Sequence, residues 1–357
     1  MKIVIFGLAV SSSWGNGHAA LWRGLIRALH TDGHSVTFFE RDVPYYAQHR
    51  DLTELPGGAL VLYREWDAEQ ARNAADTADV AMVTSYCPDA CAASALIADS
   101  RAGLSCFYDL DTPVTLTRLA SGEHVDYVPP QGLGCFDLVL SYTGGGALDA
   151  LCKQLGARRV VPLYGSVDPD VHHPGLPKPQ YSGDMSYLGT YAADRQPALQ
   201  RFFLTPARLR PERRFVLAGA MYPQDFPWLS NVYFVRHLPP AEHASFYASS
   251  RLTLNVTRAA MAAAGWCPSG RLFEAAACGV PLLSDAWPGL DAFFTPGREI
   301  LVAHDADDAL AAIELPDADL AAIARSARER VLDEHTASHR ARQMVAAFEN
   351  AVSAEAA

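Results

Sequence analysis

The chain has 357 residues, of which half are apolar and 19% are charged, and its formal net charge is −11. This length suits two domains of ordinary size. The acidic balance argues against a nucleic-acid partner, which needs a basic face. It does not exclude a single anionic ligand, because a few local cations and helix N-termini are enough to bind one.

The N-terminal segment MKIVIFGLAV is apolar but too short to span a bilayer, and no small-residue cleavage site follows it. We interpret it as a buried strand. The sequence contains no run of about 18 apolar residues, so no membrane span is predicted. Seven cysteines, mostly in apolar surroundings, predict reduced, buried thiols in a cytoplasmic protein. No second Cys/His pair with zinc spacing follows Cys87 and Cys91, and we interpret the adjacent His172 and His173 as ordinary residues of a loop, so no metal site is predicted. The oligomeric state stays open.

The first half of the chain alternates short apolar strands with helical stretches. Leu21, Leu25 and Leu29 recur at helical spacing, and Gly33 is placed to end that helix. Fully apolar short strands predict a parallel sheet that is covered on both faces, with ligands beyond the carboxyl ends of its strands. The predicted strands cover residues 2–7, 35–40, 79–84, 104–108, 137–141 and 160–163.

Residues 165–183 are rich in proline and glycine and predict a linker. The alternation then restarts, which predicts a second α/β domain of the same kind. Its predicted strands cover residues 185–189, 214–219, 232–235, 252–256, 280–284 and 300–302, and residues 338–352 are predicted to form a last helix.

The loop after the first strand, GLAVSSSWGNGH, carries Trp14, Asn16 and His18. A glycine-containing loop that leads into a helix exposes backbone N–H groups to a polar or anionic ligand. It is neither a dinucleotide fingerprint, since position 20 is alanine, nor a P-loop, since no Lys-Ser/Thr follows. His18 is a candidate base. The alternative is a plain connection that Asn16 caps.

The segment YDLDTP follows another strand and places Asp109 and Asp111 at the same predicted sheet edge. Its spacing is similar to a metal-binding DxD motif, but the usual context is missing and no metal is inferred. We interpret one of the two as a substrate contact. The alternative is that Asp111 or Thr112 caps a helix that has Pro113 in its first turn.

The second half contains the stronger signal. Gly189 ends a strand and Arg195 follows it, an arrangement suited to a diphosphate because a guanidinium offers forked donors. In WCPSGRLFEAAACG, Ser269 and Gly270 lie at a predicted helix start, where N–H groups can meet a phosphate. Glu274 lies about one turn further on and is suited to accept both hydroxyl groups of a ribose.

These segments resemble the group 1 glycosyltransferases through GSVDPDVHHP, SYLGTYAADR, RLFEAAACGVPLLSD and PGREILV. The resemblance extends to the CgeB-like branch, named after a spore-maturation protein, through NVTR, PSGRLFEAAACG and SDAWPGLDAFF. It covers the second half well and the first half in architecture. It implies a GT-B fold, in which two Rossmann-like β/α/β domains face each other across a cleft.

The resemblance implies four segments. Residues 1–165 form an acceptor-side domain, 166–183 the linker, 184–335 the domain that binds the nucleotide sugar, and 336–357 a helix that returns to the first domain. It implies that Glu274 binds the donor ribose, and it aligns Arg195 with a cation at the diphosphate.

Other family positions transfer less directly. Asp291 falls near an acidic residue of the family, and Arg258 and Arg271 add positive charge. Retaining members have a second glutamate eight positions before Glu274, where this chain has Trp266.

The sequence therefore predicts metal-independent transfer of a sugar, hexosyltransferase-like, from a nucleotide-diphosphate sugar to a small-molecule, glycan or protein acceptor. No cofactor beyond this donor is predicted. His18 or Asp109 is the candidate base, and Trp14, Asn16 and Asp111 are acceptor-side candidates. The donor-binding candidates are Gly189, Arg195, Arg258, Ser269, Gly270, Arg271 and Glu274. Alternatives are an epimerase or phosphorylase on the same fold, or a non-catalytic nucleotide-binding protein.

Overall fold

The computed structural model describes residues 1–355, and its contacts divide the chain into two compact units. The first unit contains residues 1–164 together with the chain from residue 337 onward, and the second contains residues 165–336. Each unit has one parallel sheet with helices around it. The predicted fold class, two α/β domains with parallel sheets, is confirmed.

The first unit has a seven-stranded sheet in the order β3-β2-β1-β4-β5-β6-β7. Its strands are β1 (Lys2–Gly7), β2 (Ser35–Arg41), β3 (Gly58–Tyr63), β4 (Val80–Thr84), β5 (Leu104–Asp109), β6 (Leu138–Ser141) and β7 (Val160–Pro162). Its first six helices are α1 (Gly17–Thr31), α2 (Pro44–Ala47), α3 (Ala68–Ala75), α4 (Ala90–Ala98), α5 (Thr112–Ala120) and α6 (Gly146–Leu155).

Both faces of the central strands of this sheet are buried, which explains why β1 and β4 are almost wholly apolar. Successive side chains of β1 point to opposite faces, so Ile3 and Ile5 join one core cluster while Val4 and Phe6 join another. A strand covered on both faces has no polar face to present, and hence no alternation of apolar and polar residues.

The second unit has a six-stranded sheet in the order β10-β9-β8-β11-β12-β13. Its strands are β8 (Met185–Leu188), β9 (Phe215–Gly219), β10 (Val232–Arg236), β11 (Thr253–Asn255), β12 (Leu282–Asp285) and β13 (Leu301–Ala303). Its α-helices are α7 (Gln196–Leu199), α8 (Thr205–Leu209), α9 (His243–Ala248), α10 (Ala259–Ala264), α11 (Gly270–Ala277), α12 (Ala306–Glu314) and α13 (Asp317–Glu334). Single 3-10 turns lie at Pro179–Tyr181, Ala193–Arg195, Pro240–Glu242 and Leu290–Ala292.

One helical stretch of the second unit changes its hydrogen-bonding pattern along its length. A π-helical turn, Gln200–Leu204, lies between α7 and α8. Pro206 follows it in the first turn of α8 and has no N–H to donate to the preceding turn. Such wider turns are a usual response to a break in the helical ladder.

The last helix, α14 (Ala337–Glu355), belongs to the first unit. Its buried residues Ala341, Met344 and Phe348 recur at helical spacing and join the core cluster that contains Trp22 and Leu25 of α1. Along the sequence, the last helix of the first unit therefore comes after the whole of the second unit. The last two residues lie outside the described part of the chain.

Two sequence expectations need correction. The predicted strands omit β3, which is an edge strand that leaves five of its six residues at least partly exposed and so carries little of the apolar signal. Four cysteines are buried as expected, but Cys91 and Cys152 are exposed. The other predicted strands agree with the structure to within about two residues at each end. None of the helices in the described residues is both long and apolar enough to cross a membrane.

Each sheet has one point at which the strand order reverses. It lies between β1 and β4 in the first unit and between β8 and β11 in the second. Ligands of open parallel α/β sheets bind beyond the carboxyl ends of the strands at this point. The residues that follow these four strands are therefore expected to form the ligand sites.

Candidate functional site

In the second unit, the loop after β8 passes very close to the end of β9. A Cβ atom added at Gly219, which has a φ of +156°, would lie 2.0 Å from the Gly189 carbonyl oxygen. The same carbonyl accepts a hydrogen bond from the Tyr222 hydroxyl at 3.0 Å. Only glycine permits this approach, and the contact fixes the start of the segment that leads to Arg195.

Three arginines concentrate positive charge at this edge. Arg195 follows β8, Arg258 follows β11, and Arg271 lies in the first turn of α11. The Arg195 Nη1 donates to the Thr190 carbonyl at 3.2 Å, whereas its Nε is buried without a hydrogen-bond partner. Burial lowers the pKa of Arg195, and the charges of Arg271 and Arg258 add to this although Tyr187 opposes it.

The counter-charge beside these three arginines is incomplete, and Glu274, on the same helix as Arg271, supplies one carboxylate of it. Asp194 accepts from the Arg258 Nε at 3.2 Å, in an ion pair that is about one third exposed. A partly buried group of guanidinium ions with so little compensation is unfavourable unless an anion binds. The cluster therefore has the electrostatics of an anion site.

Helix α11 places two further predicted residues beside this charge. Ser269 is its N-cap, and the Ser269 hydroxyl accepts from the Arg271 N–H at 3.4 Å. Leu272 and Phe273 are buried, whereas Arg271 and Glu274, three positions apart, share the less buried side. The helix thus aligns its positive N-terminus, a cation and a carboxylate on one surface.

Two histidines enclose the Glu274 carboxylate. The Glu274 Oε2 lies 4.0 Å from His172 Nε2 and 3.8 Å from His243 Nδ1, and these two nitrogens are 3.2 Å apart. Burial favours the neutral form of Glu274, but His172, His243 and Arg271 outweigh it and lower its pKa. Burial lowers the pKa of His243 to about 4, so that its imidazole is neutral at neutral pH.

Glu274 is ionised and yet has spare hydrogen-bonding capacity. Within the described residues, no group hydrogen-bonds to its carboxylate, and its side chain is 14% exposed. A carboxylate has about four acceptor positions. It is therefore free to accept two hydroxyl groups from a ligand.

A buried carboxylate of β12 holds the loop that carries Arg258. Asp285 Oδ1 accepts from the Thr257 N–H at 3.0 Å and from the Thr257 hydroxyl at 2.9 Å. Burial raises the pKa of Asp285, and these hydrogen bonds oppose the rise. Asp285 therefore positions Arg258 indirectly, because it holds the preceding residue, Thr257, in place.

Trp266 takes an unusual backbone conformation, with a φ of +49°. Its N–H donates to the Pro288 carbonyl at 2.7 Å, and its ring lies against Gly289, where an added Cβ would come within 2.5 Å of the indole. The side chain is held on the backbone of the next loop and stays 37% exposed. This position thus presents a partly exposed aromatic ring.

In the first unit, the loop after β1 is fixed by a buried carboxylate from β2. Glu40, which has no exposed surface, accepts from the N–H groups of Val10 and Ser11 at 2.7 and 2.9 Å and from the Ser11 hydroxyl. Asn16 caps α1: its Oδ1 accepts from the His18 N–H, and its Nδ2 donates to two loop carbonyls. All polar groups of Asn16 are thus engaged in the loop, and it shapes the loop rather than presenting a group to an acceptor.

The reversal point of the first sheet brings three titratable side chains together. His18 Nε2 lies 3.9 Å from Asp111 Oδ2, and the His18 ring lies 5.7 Å, between centroids, from the ring of Tyr86, the second residue after β4. Burial lowers the pKa of His18, although Asp111 opposes this, and His18 Nδ1 has no hydrogen-bond partner. Tyr86 has a φ of +63°, a strained conformation for a residue with a large side chain.

Asp109 lies beneath this group, at the end of β5. Its Oδ1 accepts from the Asp111 N–H and the Thr115 hydroxyl, each at 3.1 Å, while its Oδ2 is buried without a partner. Burial raises the pKa of Asp109 to about 7, although those hydrogen bonds oppose the rise. A carboxyl group that titrates near neutrality can accept and release a proton, as general acid–base chemistry requires.

The remaining candidates have simpler positions. Trp14 is stacked on His49, with ring centroids 4.1 Å apart. Asp111 occupies the position before α5 but makes no side-chain capping hydrogen bond. Asp291 lies exposed in a 3-10 turn. His173 is exposed, unlike its neighbour His172, which is 4% exposed.

Sequence reasoning missed several residues of these groups, namely Glu40, Tyr86, His243 and Asp285. Only Asp285 belongs to a motif, SDAWPGLDAFF, and each of the four acts through a contact between elements that are distant in the chain. A positive φ at a tyrosine cannot be seen in sequence. His172 was visible, but nothing near it in the sequence indicated its partners.

Comparisons with known proteins find similarity to one protein family and to several solved structures. Residues 195–346 match the family described as glycosyl transferase-like. The whole fold is similar to sucrose-phosphate synthase from Thermosynechococcus elongatus, with a TM-score of 0.69 and 15% identity over 99% of each chain. It is similar to Anabaena HepE in complex with UDP and glucose, with a TM-score of 0.67 and 15% identity over 98% of this chain and 100% of that one.

A third solved structure is an alpha-glucosyltransferase in complex with UDP and a 13-mer DNA, with a TM-score of 0.68 and 11% identity over 98% of this chain and 99% of that one. These likenesses define the fold as GT-B. No curated protein sequence matches the chain.

Proposed function

We propose that this protein is a glycosyltransferase that moves a hexosyl group from a nucleotide-diphosphate sugar to an acceptor hydroxyl. The observation that carries the proposal is the partly buried cluster of Arg195, Arg258 and Arg271 beside the ionised Glu274. A diphosphate attached to a ribose supplies what both need, namely two negative charges and two adjacent hydroxyl groups.

The second unit is the donor side in this proposal. The arginines and the N-terminus of α11, with Ser269 and Gly270, hold the diphosphate and stabilise its charge as it leaves. This stabilisation does the work that a metal ion does in other transferases, so the proposed transfer needs no metal. The CgeB-like motifs, whose glycines and arginine lie at this edge, support the same assignment.

The first unit is the acceptor side. His18 and Asp109 are the candidate bases, because each has a buried atom without a hydrogen-bond partner. Asp111 and the Tyr86 hydroxyl supply polar contacts beside them, and Trp14 offers a ring surface. We propose an acceptor other than nucleic acid, since the chain carries a net charge of −11.

The test is nucleotide binding followed by donor turnover. Unfolding is followed with UDP, GDP, ADP and TDP, and a nucleotide at 100 times its Kd should stabilise the protein by about 2.7 kcal/mol. The nucleotide that binds is then supplied as its hexose conjugates, and slow release of free sugar indicates transfer to water. If none of the four nucleotides shifts unfolding, the donor site is disproved.

The ribose contact has a sharper test in the variant Glu274→Ala. Two hydrogen bonds to a charged group contribute about 3 kcal/mol or more, so affinity should fall at least about 100-fold. The 2′-deoxy form of the same nucleotide should bind weakly to the wild type, whereas Glu274→Ala should no longer distinguish the two forms. Glu329→Gln, an exposed site on α13, is the control. A variant that still prefers the ribonucleotide would refute the contact.

A further inference from the structure

We propose that His172, His243 and Glu274 form a binding site for a divalent ion of the zinc class, and that the bound ion excludes the donor nucleotide from Glu274. The exclusion rests on the proposed function, because it needs Glu274 to be the ribose contact. The metal site itself stands on the geometry of the three side chains alone.

The three ligand atoms are spaced for a single ion. His172 Nε2, His243 Nδ1 and Glu274 Oε2 are separated by 3.2, 3.8 and 4.0 Å. A point equidistant from three atoms so placed lies about 2.1 Å from each, which matches zinc–nitrogen distances of about 2.0–2.1 Å and zinc–oxygen distances of about 2.0–2.2 Å. An ion placed there lies in the plane of the three ligand atoms, and side-chain shifts of a few tenths of an ångström would give the tetrahedral arrangement that zinc prefers.

The ligand types select the kind of ion. Two imidazoles and one carboxylate suit zinc and its neighbours in the first transition row, whereas magnesium and calcium prefer oxygen alone. Three protein ligands leave a fourth position for water, on the side where Glu274 is exposed.

One feature makes the predicted site reversible rather than permanently filled. His172 is 4% exposed, and its Nδ1 is buried without a hydrogen-bond partner among residues 1–355. When Nε2 binds a metal, the proton must move to Nδ1, where nothing accepts it. Absence of such a supporting contact lowers metal affinity about 10- to 100-fold. The site should release its ion, as a regulatory site does.

Metal and nucleotide cannot both use the same carboxylate. A ribose whose two adjacent hydroxyl groups donate one to each oxygen of Glu274 uses Oε2, which is also the proposed ligand of the ion, so one hydroxyl group and the ion would occupy the same place. Arg271 lies on the same side of α11 and attracts the diphosphate while it repels the cation. Free nucleotide and free metal should therefore compete, and metal should act as an inhibitor.

Direct binding of ZnCl₂, without nucleotide, tests the metal site by calorimetry. We expect one ion per chain at this site, with affinity reduced at least tenfold in His172→Ala and in His243→Ala and unchanged in His173→Ala. His173 is the matched control because it is adjacent in sequence but exposed. Co²⁺ absorption should show nitrogen and oxygen ligands without a thiolate charge-transfer band, which excludes the exposed Cys91 and Cys152. Equal zinc affinity in all four proteins would overturn the proposal.

The exclusion is tested with the nucleotide that gives the largest stabilisation. Zinc should weaken its binding at least tenfold in the wild type and not in His243→Ala, which also controls for chelation of zinc by the nucleotide in solution. Unchanged nucleotide affinity in the zinc-bound wild type would overturn the exclusion. A chain that binds zinc through both histidines but binds none of the nucleotides would retain the metal site and disprove the proposed function.

Discussion

At the scale of single residues, Asp109 shows how the fold sets the chemistry of a side chain. It ends a buried strand, and one of its oxygens faces neither water nor a donor. The folded state therefore favours the protonated form, and the pKa rises from 3.8 to about 7. The same carboxyl on a solvated loop would be fully ionised at neutral pH.

This shift has a consequence for stability, with a sign fixed by linkage. Because the folded-state pKa of Asp109 is raised, protonation of its carboxyl group stabilises the folded state. This stabilisation is fully present below about pH 4 and is lost as pH rises to about 7. Asp109→Asn removes that dependence. The variant should gain about 4 kcal/mol of unfolding free energy relative to the wild type between pH 4 and pH 7, since each pKa unit corresponds to about 1.4 kcal/mol.

The measurement is denaturant unfolding of both proteins at several pH values. Asp149→Asn, an exposed site in the same unit, is the control and should keep a constant difference from the wild type. If Asp109 is also the base, Asp109→Asn should lower transfer about 100-fold or more while nucleotide affinity stays unchanged. A difference from the wild type that does not vary with pH would contradict the shifted pKa.

At the scale of elements, the loop between β1 and α1 depends on β2. Glu40 satisfies the N–H groups of Val10 and Ser11 from inside the core, and Arg50 donates from its Nε to the Ser11 hydroxyl at 3.1 Å. A loop with buried N–H groups needs such partners, because unpaired buried groups are costly. This arrangement also positions His18, because Asn16 of the same loop accepts from the His18 N–H and caps the start of α1.

Glu40→Ala should therefore destabilise the protein strongly. The change leaves two buried N–H groups and a hydroxyl without their acceptor, and a loss of about 3 kcal/mol or more is expected in denaturant unfolding. Glu40→Gln keeps one acceptor oxygen and should lose less. Glu54→Ala, at an exposed site in the same unit, should change stability by less than about 0.5 kcal/mol. Equal stability of Glu40→Ala and Glu54→Ala would show that the loop is held in another way.

The elements also show what the sequence can predict. Strands such as β1 and β5 were found because burial on both faces makes every residue apolar, which is visible in a single sequence. Strand β3 was missed because its side chains are half exposed at the edge of the sheet. The arginines and Glu274 were found because they lie in local motifs. The pairing of His172 and His243 was not, since it joins side chains 71 positions apart.

At the scale of the whole molecule, the first unit is built from both ends of the chain. The helix α14 fills a core cluster whose other members come from residues 1–163. Phe348, which has no exposed surface, packs in the same cluster as Trp22. The second unit has a separate cluster, with Phe203 and Leu217 among its members. The two cores are therefore distinct although the chain is continuous.

This division predicts that a defect in α14 affects one unit and spares the other. Phe348→Ala creates a cavity in the core of the first unit and should lower its unfolding free energy by about 3–5 kcal/mol. Calorimetry should show this as a lower transition temperature for the first unit. Val352→Ala, on the same helix but 45% exposed, is the control and should cost less than about 1 kcal/mol.

Nucleotide affinity provides the second readout for Phe348→Ala. The proposed donor site is built from residues 189–274, all in the second unit, so the affinity measured below the first transition should stay within about twofold of the wild type. Loss of nucleotide binding in parallel with the loss of stability would mean that the donor site depends on the first unit. Retained binding would show that the donor site tolerates a cavity in the core of the first unit.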